Sequence, residues 1–182
     1  MKPRPAGLGP TRKRKAPGST TFVLAQDPGR LGIDLVLITR GSVAPGTLGR
    51  PSQHLAVIVQ KATSYTWIFV IEAPNSYETA RCIQKVFADI KKWNWPMPKA
   101  IESDKGGEMA GKKRGQYGAY LKHKGIRRQE LKLVSYVESR NQHIERYLTV
   151  ATRKLPLQQA VAQVKKKINN IVSRITGNPP HY

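Results

Sequence analysis

LGIDLVLIT (Leu31–Thr39), HLAVIVQ (His54–Gln60) and YTWIFVIE (Tyr65–Glu72) are three apolar runs, rich in β-branched and aromatic residues and bounded by Gly-, Pro- and Ser-bearing segments. They predict three successive strands. The short connection at Lys61–Ser64 and the longer one at Gly41–Gln53 point to antiparallel pairing. Working outward, Asn75 with Glu78 three residues on reads as a helix cap, and Tyr77, Ala80, Ile83, Phe87 and Ile90 recur at helical spacing until Trp93, Trp95 and Pro96. KAIES (Lys99–Ser103) is a short strand that ends at Asp104, followed by a glycine-bearing loop and a helix over Tyr117–Lys124 that Gly125 closes. A turn or short strand at Ile126–Leu131 leads to a helix over Val137–Lys154, and Pro156 starts a last helix striped by Leu157, Val161, Val164, Ile168, Ile171 and Ile175. The order β-β-β-α-β-α-(β)-α-α predicts an α/β domain with a mixed sheet.

The chain has 182 residues, 39% of them hydrophobic, enough for one core and too few for two. Residues 1–25 read as a basic, Pro- and Gly-rich flexible arm, and residues 26–182 as the core domain. A net charge of +21, from 32 Lys and Arg against 11 Asp and Glu, calls for a polyanionic partner. Nucleic acid, DNA or RNA, is preferred over a membrane because no apolar run reaches the length of a span. The single cysteine, Cys82, excludes an internal disulfide framework and any zinc site built on two or more thiolates, so no zinc is expected. It also suggests an intracellular setting: the nucleus, a ribonucleoprotein compartment or the mitochondrion.

The charge is unevenly spread. Residues 21–104 carry 9 basic and 7 acidic side chains, whereas residues 105–146 carry 11 and 4, and both ends of the chain lack acids. Three clusters are therefore candidates for phosphate contact: Arg12, Lys13, Arg14 and Lys15 in the arm; Lys112, Lys113, Arg114, Lys122, Lys124, Arg127 and Arg128; and Lys165, Lys166 and Lys167. A solvated basic face is the alternative for each. Cys82 reads as helix packing and Trp67 as core, with Trp93 and Trp95 pinning a helix end. His143 reads as a surface or packing residue.

Two acids stand out within the nearly neutral region. Asp34 interrupts an apolar strand, where an unpaired carboxylate costs on the order of several kcal/mol or is neutralised. Asp104 lies where a sheet strand runs out into a loop, a usual place for α/β sites. A third acid on a later helix would complete a hard-oxygen set for Mg2+ or Mn2+, and two such ions about 3.5–4 Å apart serve phosphodiester chemistry. A satisfied core Asp and a turn-forming Asp are the plainer readings of the same two residues.

In its motifs the chain resembles the catalytic core of the retroviral integrase superfamily, most of all the integrases of copia- and gypsy-type retrotransposons. GIDLVLI is similar to the family's first strand, and His54–Ala80 to its second and third strands and the entry to its first helix. IESDKGGEM (Ile101–Met109) resembles the second-aspartate motif, with Met109 in the place of Phe. ESRNQHIERY (Glu138–Tyr147) resembles the segment that carries the catalytic Glu, and INNIVSRITGNPP (Ile168–Pro180) the closing helix. The resemblance implies an RNase H-like fold, a mixed five-stranded sheet flanked by helices, in which Asp34, Asp104 and Glu145 are catalytic and hold Mg2+ or Mn2+ for DNA cleavage and strand transfer. Glu145 is chosen for its neighbours Asn141, Ile144 and Arg146, although it leaves 40 residues after Asp104 where Glu138, the second choice, leaves 33. Gln60 stands where the family often carries an acid on its second strand.

No amino-terminal His2Cys2 module can form with one cysteine, and the sequence ends where a carboxy-terminal DNA-binding domain would begin. A second reading follows from this: a domesticated, non-catalytic core that serves as a structural RNA- or DNA-binding subunit of a ribonucleoprotein such as a ribosome. Either protein is expected to act as a homo-oligomer or within a larger nucleoprotein complex.

Overall fold

The computed structural model describes residues 29–38, 53–104, 115–132 and 134–171. Five strands and four helices follow one another: β1 (Arg30–Ile38), β2 (Gln53–Gln60), β3 (Thr66–Ile71), α1 (Ser76–Lys92), β4 (Ala100–Ser103), α2 (Gln116–His123), β5 (Arg127–Glu130), α3 (Ser135–Ala151) and α4 (Leu157–Asn169). They form one mixed sheet in the order β3-β2-β1-β4-β5. β1 pairs antiparallel with β2, and β2 with β3, while the β1–β4 and β4–β5 pairs are parallel.

The first three strands are apolar throughout because helices cover both faces of the sheet. Leu31, Ile33, Ala56, Ile58 and Trp67 face α1 and α2 in one core cluster, while Ile38, Leu55, Val57, Val59 and Ile68 face α3 and α4 in the other. Each fully buried Leu, Ile or Val in these layers contributes about 1.5–3 kcal/mol relative to exposure. β2 turns into β3 through Ser64 in the left-handed region (φ 62°), closed by Ser64 N–H donating to Gln60 O at 2.7 Å. The Gln60 side chain accepts from Thr63 Oγ1 at 2.6 Å, so this residue serves the hairpin.

α1 begins where its cap predicts, with Asn75 Oδ1 accepting from Glu78 N–H at 2.9 Å, and ends before Trp93. Its buried stripe is Thr79, Ala80, Cys82, Ile83, Val86, Phe87 and Ile90; Tyr77, expected in that stripe, is 54% exposed and lies against Arg81. Burial pushes the Cys82 thiol up to about 11, which suits a packing residue. Trp93 and Trp95 join Tyr65 and Trp67 in one aromatic cluster, with Trp67 Nε1 donating to Asp89 at 3.0 Å.

α3 runs two residues earlier and three shorter than the expected Val137–Lys154. Its end is set by Thr152, whose N–H and hydroxyl both donate to Leu148 O, and by Pro156, which disfavours helical backbone at Leu155. α4 ends at Asn169, so Ile171 lies beyond the helix, and Ile175 lies outside the described residues. The buried Asn169 amide clamps the start of β3, accepting from Thr66 N–H and donating to Thr66 O at 2.8 Å each.

Candidate active site

Two neighbouring parallel strands bring the two aspartates together. In the β1–β4 register Gly32 faces Glu102 and Ile33 faces Ser103, so the next residues, Asp34 and Asp104, come out side by side. By the period-two rule both lie on the face that α3 covers. α3 approaches closely because β1 has a glycine there. A Cβ on Gly32 would run into Val137 Cγ2 and come within 2.7 Å of the Tyr136 hydroxyl and ring. With Val137 seated over Gly32, Glu138 reaches the mouth of a cleft of about 200 Å3 lined by Ile33, Asp34, Asp104, Val134, Val137 and Glu138.

Asp34 is half-buried and held by neutral donors. Leu35 N–H donates to Oδ1 at 2.8 Å, and the buried Asn141 Nδ2 donates to Oδ2 at 2.6 Å. Burial, and then the charge of Asp104, push its carboxyl above the ordinary aspartate value; the Leu35 and Asn141 hydrogen bonds act against this, and Glu138 adds to the rise. Asn141, one helical turn beyond Glu138, was legible in the sequence only as part of the motif around Glu145. The structure makes it the orienting partner of Asp34.

The structure brings Glu138, not Glu145, to this cleft. Glu145 lies seven residues on, on nearly the same side of α3 but about 10 Å further along the axis, exposed, and outside the cleft lining. The donor chemistry suits a hard divalent cation: three carboxylates face one opening, and Asn141 Oδ1 is a buried oxygen with no hydrogen-bond partner among the described residues. In this arrangement, however, no three Asp, Glu, His or Cys side chains among the described residues are gathered closely enough to hold an ion. Ligation therefore requires the carboxylates to rotate inward.

A second acid on the same face has the opposite surroundings. Glu102 is 1% exposed, with Arg30 Nη1 at 2.9 Å on Oε1, and the Tyr136 hydroxyl at 3.0 Å and Lys61 Nζ at 3.5 Å on Oε2. Burial alone would raise its carboxyl, but hydrogen bonds from Arg30 and Tyr136, with the charges of Lys61 and Arg30, hold it below the ordinary glutamate value. Nothing local in the sequence marks Glu102, Tyr136 or Gly32.

The basic residues separate into two places. Lys122, Lys124 and Arg127 are exposed and Arg128 half-buried, along α2 and β5 at one edge of the sheet. Lys165, Lys166 and Lys167 lie on α4, which packs near β3, at the other edge and on the other face. Lys167 sits 4.1 Å over the Tyr147 ring. The two clusters do not form one surface. Arg12, Lys13, Arg14, Lys15, Lys112, Lys113 and Arg114 lie outside the described residues. His143 is exposed, with Nδ1 2.7 Å from Ser139 O. No described helix is long and apolar enough to cross a membrane.

No protein-family profile and no curated protein matches the sequence. Among solved structures, the HTLV-2 integrase catalytic core domain in complex with magnesium (trimeric form) superposes with a TM-score of 0.66 at 15% identity, covering 85% of this chain and 94% of that one. The chain has the integrase-core fold. At that identity the likeness carries the architecture of sheet and helices, and the integrase-core topology explains why β1, β4 and α3 are the elements that meet at the cleft.

Proposed function

We propose that this protein is an integrase-type polynucleotidyl transferase that cleaves and joins DNA with Mg2+ or Mn2+ held by Asp34, Asp104 and Glu138. The observation that carries the reading is the convergence of these three side chains, from β1, β4 and α3, on one small cleft. Paired ions in such a site supply an activated water or 3′-hydroxyl and stabilise the leaving oxygen of an in-line displacement. The chain's own contribution is placement. Leu35 N–H and Asn141 fix the Asp34 carboxylate, the β1–β4 register sets Asp104 beside it, and the Gly32 contact brings Glu138 over both. The solved neighbour's magnesium complex supports the choice of ion, and its trimeric form supports assembly into an oligomer. The order of the sequence motifs supports a retrotransposon affiliation. Lys122, Lys124, Arg127 and Arg128, with the basic arm and Lys112–Arg114, serve as phosphate contacts in this reading, and Lys165–Lys167 meet a separate segment of nucleic acid.

The test is incubation with end-labelled donor DNA. Nicking and strand transfer are expected with Mg2+ or Mn2+, and are expected to disappear with Asp104→Asn and with Glu138→Gln but not with Glu145→Gln. Metal-independent nicking, or activity untouched by Asp104→Asn, overturns the proposal.

One observation favours a second reading. Because no three described acids are within ligating reach in this arrangement, a non-catalytic core that binds RNA or DNA as a structural subunit is the alternative. Tight nucleic-acid binding that is indifferent to divalent ions, with no cleavage, would support it.

A further inference from the structure

The first turn of α3 carries Glu138, yet nothing caps it: Val134 occupies the cap position and no side chain there accepts from the free N–H groups. Only backbone bonds from Val137 N–H (2.9 Å) and Glu138 N–H (3.1 Å) to Val134 O close the turn. A helix start of this kind frays and can roll on the sheet. Successive residues advance by about 100°, so with Val137 facing the sheet over Gly32, Tyr136 and Glu138 flank it on opposite sides of the helix. Whatever fixes one flank fixes the other.

Tyr136 is fixed. Its hydroxyl passes over Gly32, where even a Cβ would lie 2.6 Å away, and donates to Glu102 Oε2 at 3.0 Å. Glu102 cannot follow it, because Arg30 fastens Oε1 at 2.9 Å and Lys61 stands 3.5 Å from Oε2 while also lying 5.4 Å from the Tyr136 ring centre. A roll of about 10° about the α3 axis would displace a side-chain terminus near the helix's outer radius by about 1 Å. Shifts of that size cost active sites about 100-fold.

We infer that Glu102 and Tyr136 are a positioning pair: their hydrogen bond, anchored by Arg30 and Lys61, sets the roll of α3 and so holds Glu138 at the cleft with Asp34 and Asp104. The inference rests on the proposed function only in treating Glu138 as a ligand for a divalent cation.

The experiment compares the full chain with Tyr136→Phe, which keeps the ring and removes the hydroxyl, and with Glu102→Gln, which keeps the shape and removes the charge. In metal-free protein, amide exchange at Val137 and Glu138 is expected to quicken about 10-fold or more in both variants, with β2 and α4 amides unchanged. Mn2+ binding is expected to weaken about 10-fold in both. Where strand transfer is measured, the Mg2+ concentration for half-maximal rate rises more than the saturated rate falls. First-turn exchange within twofold of wild type in Tyr136→Phe overturns the positioning role. Faster exchange in a protein that, as wild type, binds no Mn2+ upholds the pair and overturns the metal assignment.

Discussion

Asp34 and Glu102 stand on neighbouring strands, on the same face of the sheet, beneath the same turn of α3, and they are opposites. Glu102 is enclosed by two cations and a hydroxyl, which hold its carboxyl low. Asp34 meets an amide and a backbone N–H, faces Asp104 and Glu138, and is pushed up. A carboxylate whose charge is fully answered inside the protein is part of the framework. One crowded by like charge, at the mouth of a cleft, is waiting for a cation from outside. In a chain of net charge +21 the contrast is the sharper: basic side chains are plentiful, yet what opposes the rise at Asp34 is a pair of neutral donors.

The largest effect expected from breaking this contrast is on chemistry. Asp34→Asn removes the charge while keeping the size, and should lower metal-dependent strand transfer by about 1000-fold or more (a barrier increase of about 4 kcal/mol). Its urea midpoint should rise slightly, since a repulsion is relieved; a fall in the midpoint would argue against crowding by like charge.

Next in size is Gly32→Ala. The new methyl meets Val137 and Tyr136, and overpacking should cost about 1–3 kcal/mol in urea unfolding, with loss of the Glu138 position. Glu102→Ala should cost about 2 kcal/mol by the same measurement. It leaves the Tyr136 hydroxyl without its acceptor, whereas Arg30 and Lys61, 44% and 48% exposed, can turn to water.

The two acids should also give stability opposite slopes with pH. For Asp34 the folded protein binds its proton more tightly than the unfolded chain. Stability therefore falls as pH rises from the ordinary aspartate value through the raised one. For Glu102 the folded pKa is the lower. Its contribution is complete above the ordinary glutamate value and is lost as pH falls through the folded one. Urea titrations across the acidic range should show a flatter decline on the alkaline side in Asp34→Asn, and a smaller acid loss in Glu102→Gln.

The smallest effect concerns the basic clusters. Neutralising Lys122, Lys124 and Arg127 should leave stability unchanged, within about 0.5 kcal/mol. It should reduce the salt slope of duplex binding by up to about 0.9 for each phosphate that is no longer neutralised. If the same change at Lys165–Lys167 alters the slope equally, both edges of the sheet bind.

Much of this arrangement was legible in sequence. Residues with strong local signals, such as the β-branched runs, the Asn75 cap and Gly125 at φ 67°, fell within a residue or two of their elements. Period two also placed Asp34 and, through the end of β4, Asp104. Glu138 and Glu145 show where such reasoning stops. Seven residues on a helix return to nearly the same angle, so periodicity fixes which side of α3 faces the sheet and says nothing about which turn stands above the aspartates. That height is set by a long-range contact, Val137 on Gly32, and by where α3 begins. Neither leaves a local mark, and the better motif match pointed two turns further along the helix. Glu102 was hidden for a related reason: its partners at 30, 61 and 136 come from three other segments of the chain.

The parallel pairing of β1 with β4 joins Gly32 to Glu102 across a large part of the chain, and Asn141 reaches Asp34 across 107 positions. Contacts of that range close late, after the local hairpin and helices have formed, because the intervening loops must first be drawn in. During synthesis the β1–β2–β3 meander can fold while the rest is still being made, but Asp34 has no orienting amide until α3 emerges. A nascent or truncated chain would therefore hold a formed sheet edge and no competent cleft, so that any nuclease activity is confined to molecules whose translation has passed the third helix.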